Sequence, residues 1–288
     1  MKNYVIFTDS GCDISRALLS EWGVESIDLS FRFENESREY LASEMEIGAF
    51  YNKMREGGVA KTMAINPETF VTEFEKALSQ GKDVIYLGFS SGLSTTFNSS
   101  RIAADELAEK YPDRRVECVD SLCASAGQGL FVYLVAQKSN SGATMDETIE
   151  YANSIVANIC HWFTVDDLVY LKRGGRVSPA VALVGKVLGI KPVLHVDNEG
   201  KLISMSKARG RKAALTALAD KYGELAMSEY SDTVFISNAD CLDDVKELEA
   251  MLKSRYNANV KVITDIGTVI GAHAGPGTIA LFFVAKER

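Results

Sequence analysis

Histidine, tryptophan and proline are scarce in this 288-residue chain, with three, two and five of each. Three histidines, none with carboxylate or cysteine partners at ligand spacing, offer little to a metal. The five cysteines, Cys12, Cys118, Cys123, Cys160 and Cys241, are odd in number, scattered, and form no Cys-x-x-Cys pair. This excludes a disulfide-stapled scaffold and a zinc finger, and it fits reduced thiols in the cytoplasm. Positive charge is also in deficit: 31 Lys and Arg against 39 Asp and Glu give a net charge of −8. An acidic surface disfavours nucleic acid as a general partner. Long apolar runs are missing too. The most apolar stretch, residues 177–196, is broken by Lys186, Lys191 and two prolines, so no membrane span is expected. The N-terminal apolar run is too short for a signal peptide. No Walker loop is present, and Gly127-x-Gly129 falls inside an apolar helical pattern rather than after a strand, so nucleotide binding has little support.

What is present is an ordinary globular composition, 47% apolar and 24% charged. The length suggests about two domains at roughly 150 residues each. Short β-branched and aromatic runs (4–8, 26–33, 84–88, 115–119, 192–196, 202–205, 233–237, 260–264 and 279–285) alternate with helical periodicity (15–22, 44–56, 67–79, 95–110, 124–138, 145–158, 179–188, 211–227 and 242–255). Asn66-Pro67 and Ser178-Pro179 pair an N-cap with proline in the first turn, and Ser43-x-x-Glu46 and Thr144-x-x-Glu147 read as capping boxes. Strands followed by helices predict an α/β protein with largely parallel or mixed sheets. The helical pattern from Met145 ends near residue 158 and the charged knot Lys172-Arg173-Gly174-Gly175-Arg176 follows, so a break is expected near residues 158–178. We therefore expect one α/β unit over residues 1–160 and a second over 161–288.

The loop from Gly88 to Asn98 is the most informative. It joins a strand to a long helix and is built of Gly, Ser and Thr, the chemistry that presents backbone N–H groups and hydroxyls to a small anion. A tight turn before a well-capped helix explains it equally well. Within it, Gly88-x-Ser90-x-Gly92 matches the nucleophile elbow of serine hydrolases, with Asp265 and His273 following in a permissible order. Against an esterase, the Ser/Thr-rich stretch runs past Gly92 before helical periodicity begins, and no His-Gly-Gly oxyanion loop precedes it. His161 and His195 lie among apolar residues and read as packed side chains. His273 sits in the glycine-rich run 271–277, which we take as a loop that exposes its one polar side chain to a site. Arg176 and the run from Lys207 to Lys212, including Arg209 and Arg211, are basic islands on an acidic chain, suited to solvent, an anion or a docking partner.

Taken in order, Thr8-Asp9-Ser10-x-Cys12-Asp13, Ser90-Ser91-Gly92-Leu93-Ser94-Thr95-Thr96, Asp120-Ser121, Gly127-Gln128-Gly129, Gly174-Gly175-Arg176-Val177 and His273-x-Gly275-Pro276-Gly277 span nearly the whole chain, and on them the sequence resembles the DegV family. The resemblance implies two α/β domains enclosing a long-chain fatty acid as ligand, with no cofactor. It implies a binding subunit rather than an enzyme, one that presents the carboxylate to a separate ATP-dependent fatty acid kinase making acyl-phosphate for phospholipid synthesis. The carboxylate contacts carry to Thr62, Ser94 and His273, with Ser91, Gly92, Thr95 and Gly275 supporting the loops. Arg176, Arg209 and Arg211 become candidates for kinase docking. One departure stands out. Family members usually continue the threonine as Thr-Ser-Gln-Pro, whereas this chain has Thr62-Met63-Ala64-Ile65, which keeps the hydroxyl and loses its polar neighbours. Val181, Leu183, Val184, Val187 and Leu188 could form part of an apolar wall for the acyl chain, and core packing explains them equally well.

Overall fold

The computed structural model describes residues 3–177 and 189–288. The expected helix at 179–188, its Ser178-Pro179 start and the expected wall residues Val181 to Leu188 lie outside the described residues. Strands β1 (Tyr4–Asp9), β2 (Val24–Ile27), β6 (Asp83–Gly88) and β7 (Val116–Asp120) form a parallel sheet in the order β2-β1-β6-β7. Its strands are apolar on both faces. Phe7, Val84 and Tyr86 pack under the helices Pro67–Leu78 and Thr96–Lys110, while Ile6, Ile85 and Leu87 pack under Arg16–Trp22 and Ala126–Asn140. Such two-sided burial is what a parallel sheet needs, since its crossover helices cover both faces. From β1 the chain turns outward to β2 and later returns on the opposite side as β6. The strand order thus reverses between β1 and β6, the position beyond whose carboxyl ends ligands bind in open α/β sheets.

A six-stranded mixed sheet takes β8 (Ile159–Thr164), β9 (Ile190–Val196), β10 (Leu202–Arg209), β11 (Val234–Asn238), β12 (Val260–Asp265) and β13 (Ile279–Val284) in the order β10-β9-β8-β13-β11-β12, antiparallel except between β11 and β12. Period-two alternation again sorts its side chains. Trp162, Ile236, Leu281 and Phe283 face the helices Arg211–Leu225 and Leu242–Tyr256, whereas Phe163, Phe235 and Phe282 face Ala126–Asn140. A small antiparallel sheet, β4 (Tyr40–Leu41), β3 (Ser30–Phe33) and β5 (Ala60–Met63), packs Phe31 and Phe33 on Phe50 and Tyr51 of the helix Ile47–Arg55.

The helix Ala126–Asn140 is buried around nearly its whole circumference, because one side meets the parallel sheet and the other the mixed sheet. Gly127 allows the closer approach: a Cβ there would lie 2.2 Å from His161 Nε2 and 2.7 Å from Phe282 Cδ1.

Several boundaries differ from the sequence-based expectation. The run 26–33 is two strands in different sheets, because Asp28 and Leu29 carry the chain from the edge of the parallel sheet to the small one. Glu46, not Ser43, caps the second long helix, its carboxylate accepting from Gly48 and Ala49 N–H, while Ser43 donates to Asp28. Thr144 and Glu147 do form the expected capping box, and Asn66 caps a helix opened by Pro67. Part of the expected break is β8, in the interior of the mixed sheet.

Alanine at Gly127, in the first turn of its helix, should gain less than about 1 kcal/mol of helix propensity and lose about 1–3 kcal/mol to overpacking against His161 and Phe282. Chemical denaturation should therefore find Gly127→Ala less stable than wild type; equal or greater stability would refute the close packing.

Candidate functional site

A cavity of about 590 Å³ opens beyond the parallel sheet and runs against the mixed sheet. That volume suits a drug- or lipid-sized ligand. Its walls are mainly hydrocarbon, with Leu29, Phe89 and Leu93 from one half of the chain and Phe163, Val269 and Phe282 from the other. Thr62, Ser94, Arg176 and His273 supply polar groups to the same cavity.

Each of these arrives on a different element. Thr62 lies on β5, held opposite Phe31 of β3 by the ladder. Ser94 ends the Gly/Ser/Thr loop; its Oγ accepts the Thr96 N–H at 3.2 Å, at the start of the helix Thr96–Lys110, and lies 2.9 Å from Thr96 Oγ1. His273 is not in a loop. It occupies the last turn of a short helix, Thr268–Ala274, and only the following Gly275 to Gly277 form the turn. Glycine richness hid this helix, since Gly271 serves instead to let the helix approach Tyr51, whose hydroxyl would lie 2.4 Å from a Cβ there.

Thr62 and His273, 211 residues apart, meet at 2.8 Å between Oγ1 and Nε2. His273 Nδ1 is buried with no hydrogen-bond partner among the described residues, pressed against Gly174, where a Cβ would come within 2.1 Å of it. A buried donor without an acceptor is costly. The proton therefore belongs on Nε2, which donates to Thr62 and leaves the threonine hydroxyl free to donate into the cavity. Burial, reinforced by the positive charge of Arg176, pushes the His273 pKa down to about 4, so the ring is neutral at physiological pH. Arg176 donates from Nε to the Leu93 carbonyl at 3.2 Å and also to the Gly174 carbonyl. Its place is the cavity wall beside the Ser94 loop, not an outlying surface. Neutral donors and one cation on the wall of a largely apolar space are chemistry that can hold a small anion.

The remaining expected residues divide. Ser91, exposed, and Thr95 line the cavity, and the Ser91 N–H donates to Asp120. Gly92 has no room for a side chain, since a Cβ would lie 2.5 Å from the Glu199 carbonyl. Gly275 adopts φ 80° against the Tyr170 ring, turning the chain after His273. Arg209 is exposed at the end of β10. Arg211 is committed internally, to Asp244 at 2.7 Å and to the Gly277 carbonyl at 2.7 Å.

The hydrolase alternative fails on geometry. Ser90 is fully buried, and its Oγ donates to the Gly200 carbonyl at 2.8 Å while accepting from Gly92 N–H. It has no imidazole partner: His273 is engaged with Thr62, and Asp265 is bonded by Asn238. His161 and Phe163, unassigned as cavity residues by sequence reasoning, reach the same cavity from alternate positions of β8, a signal readable only once that strand is recognised. His161 is neutral, donating to the Ile159 carbonyl and accepting from Ala124 N–H, with burial pushing its pKa well down. Among the described residues, no group of His, Cys, Asp or Glu is arranged to hold a metal, and no helix is long and apolar enough to cross a membrane.

The lowered pKa of His273 has a thermodynamic consequence. As pH falls from about 6.5 to 4, the unfolded chain takes up this proton before the folded one, so folded stability drops over that window. His273→Gln should abolish this contribution, about 1–2 kcal/mol between pH 7 and 5. Denaturation at the two pH values should give a shallower acid-side loss for the variant; parallel losses would contradict the buried neutral ring.

Comparison with known proteins places this arrangement. Residues 3–286 match the sequence model of the family described as "Uncharacterised protein, DegV family". A DegV domain-containing protein of Clostridium perfringens is 41% identical, covering 100% of this chain and 99% of its own. A solved DegV lipid binding protein from Thermotoga maritima is 31% identical with a TM-score of 0.84, covering 100% of both chains. A second solved structure, described as fatty acid binding of a DegV family protein from Thermus thermophilus, is 26% identical with a TM-score of 0.86, covering 98% of this chain and 99% of its own. With the match running from one end to the other, this chain belongs to the DegV family.

Proposed function

We propose that this protein binds a long-chain fatty acid, its carboxylate on Thr62, Ser94 and His273 and its hydrocarbon in the apolar cavity. The observation that carries this reading is the Thr62–His273 pair at 2.8 Å, presented to a cavity walled mainly by hydrocarbon. Relatives described as lipid binding and fatty acid binding support it. Burying about 14 methylenes at about 0.8 kcal/mol each supplies on the order of 11 kcal/mol before the cost of immobilising the chain. Affinity thus comes from the tail, and the head group needs only orientation and an adequate exchange for its lost water.

The head-group chemistry suits a carrier that hands its ligand on. A bidentate arginine would occupy both carboxylate oxygens, whereas hydroxyl donors, one of them backed by a neutral imidazole whose N–H goes to Thr62, leave one open to phosphorylation. We assign that step to a separate ATP-dependent fatty acid kinase in the cytoplasm, whose acyl-phosphate product would feed phospholipid synthesis; this chain would be its binding subunit and not an enzyme. Of the three docking candidates, Arg209 is exposed, Arg176 sits in the cavity wall and Arg211 is paired with Asp244. We also divide the chain near residue 160 into two units, with the cavity between them.

Native mass spectrometry of the purified protein should find a retained mass of a long-chain fatty acid. Ser94→Ala and Thr62→Val should each weaken its binding about tenfold while the chain stays folded. Undiminished binding in both variants would refute the head-group assignment.

A further inference from the structure

The segment Asp9 to Asp13 lies at the end of β1, where the strand order reverses, and its side chains do not line the cavity. Three of them nevertheless accept backbone N–H groups from three distant parts of the chain, each at 2.9 Å. Asp9 Oδ2 accepts from Phe89, at the start of the loop that ends in Ser94. Ser10 Oγ accepts from Leu29, the residue before β3, whose Phe31 pairs with Thr62. Asp13 Oδ1 accepts from Gly267, the residue that opens the helix carrying His273.

The geometry points to Asp9, Ser10 and Asp13 as positioning residues, a single hub that sets the relative placement of Ser94, Thr62 and His273. This rests on the head-group reading above and extends it to residues that never touch the ligand. The hub is itself fixed. Asp9 also accepts from Gly11 N–H, the Tyr86 hydroxyl and Gln128 Nε2, so its carboxylate is fully engaged in the interior. Asp13 holds a left-handed φ of 53°, a conformation that costs a non-glycine residue and persists only under strong local constraint. Its second oxygen accepts from the Ser125 hydroxyl, and its carbonyl accepts from Thr264 Oγ1. Burial pushes the Asp13 pKa up to about 7. Its Oδ1 accepts the Gly267 N–H in either protonation state, so the tie survives titration.

Each tie joins a different segment, so the hub predicts separable effects. In amide hydrogen exchange on the full chain, Asp13→Ala should speed exchange in residues 266–275, and Ser10→Ala in residues 28–33 and 60–63. Both should weaken hexadecanoic acid about tenfold and hexadecan-1-ol less than about twofold, because only the carboxylate reads the placement of the three groups. Asp13→Asn, which keeps an oxygen acceptor for Gly267, should recover most of the loss. Exchange accelerated evenly along the chain, or equal weakening of acid and alcohol, would reduce these residues to general stabilisers and overturn the hub. Unchanged exchange in the named segments would overturn it as well. A wild-type protein without preference for acid over alcohol would instead sink the head-group reading, and the exchange pattern would then decide the hub alone.

Discussion

A carboxylate taken into a protein interior costs several kcal/mol unless donors meet its oxygens. Asp9 satisfies that constraint with the Gly11 amide of its own turn, the Tyr86 phenol of β6, the Phe89 amide of the 88–98 loop and the Gln128 side-chain amide of the buried helix. Meeting it fixes those elements against one another at the end of the parallel sheet. Burial still pushes the Asp9 pKa upward against those hydrogen bonds, a measure of how little water reaches this point. The cavity begins where the strands stop, so its polar groups inherit their positions from this interior rather than from flexible surface loops.

The same sharing of interior joins the two sheets. The helix Ala126–Asn140 has no polar face of its own and can exist only between them. Ser90, once relieved of any catalytic duty, has a structural one: with Gly92 it seats the 88–98 loop on the turn between β9 and β10. Thr62 and His273 close the contact on the other side. The cavity is bounded by both halves and draws apolar lining from each, which neither sheet supplies alone.

Much of this was legible in the chain, for identifiable reasons. Parallel strands buried on both faces announce themselves as short apolar runs, and caps such as Asn66-Pro67 and Thr144-x-x-Glu147 act through local hydrogen bonds that need no tertiary partner. What escaped depends on distant contacts. The small strand β5 has only four residues and gains its place by pairing with β3; nothing within residues 60–63 requires it. Helix Thr268–Ala274 is stabilised by burial against β3, β5 and the Ile47–Arg55 helix, which outweighs the low propensity of its glycine. Thr62 carried no signal as a lone threonine, and the family resemblance supplied what local chemistry could not. Arg211 was read as a free cation because its partner Asp244 lies 33 residues away and on another helix.

Arg176 bears on how such a site balances retention against release. Its guanidinium is anchored on two backbone carbonyls, so its charge is fixed in position yet not neutralised by a carboxylate. Burial, with this fixed positive charge adding to it, keeps His273 neutral, and the Nε2–H that bonds Thr62 leaves the threonine hydroxyl free to donate. Were the imidazole protonated instead, the carboxylate would meet a second full charge and a far stronger ion pair in a dry setting. Placing the cation one step back leaves the anion attracted but not clamped. On the proposed reading, the tail would decide how tightly the ligand stays and the head group would remain available for chemistry.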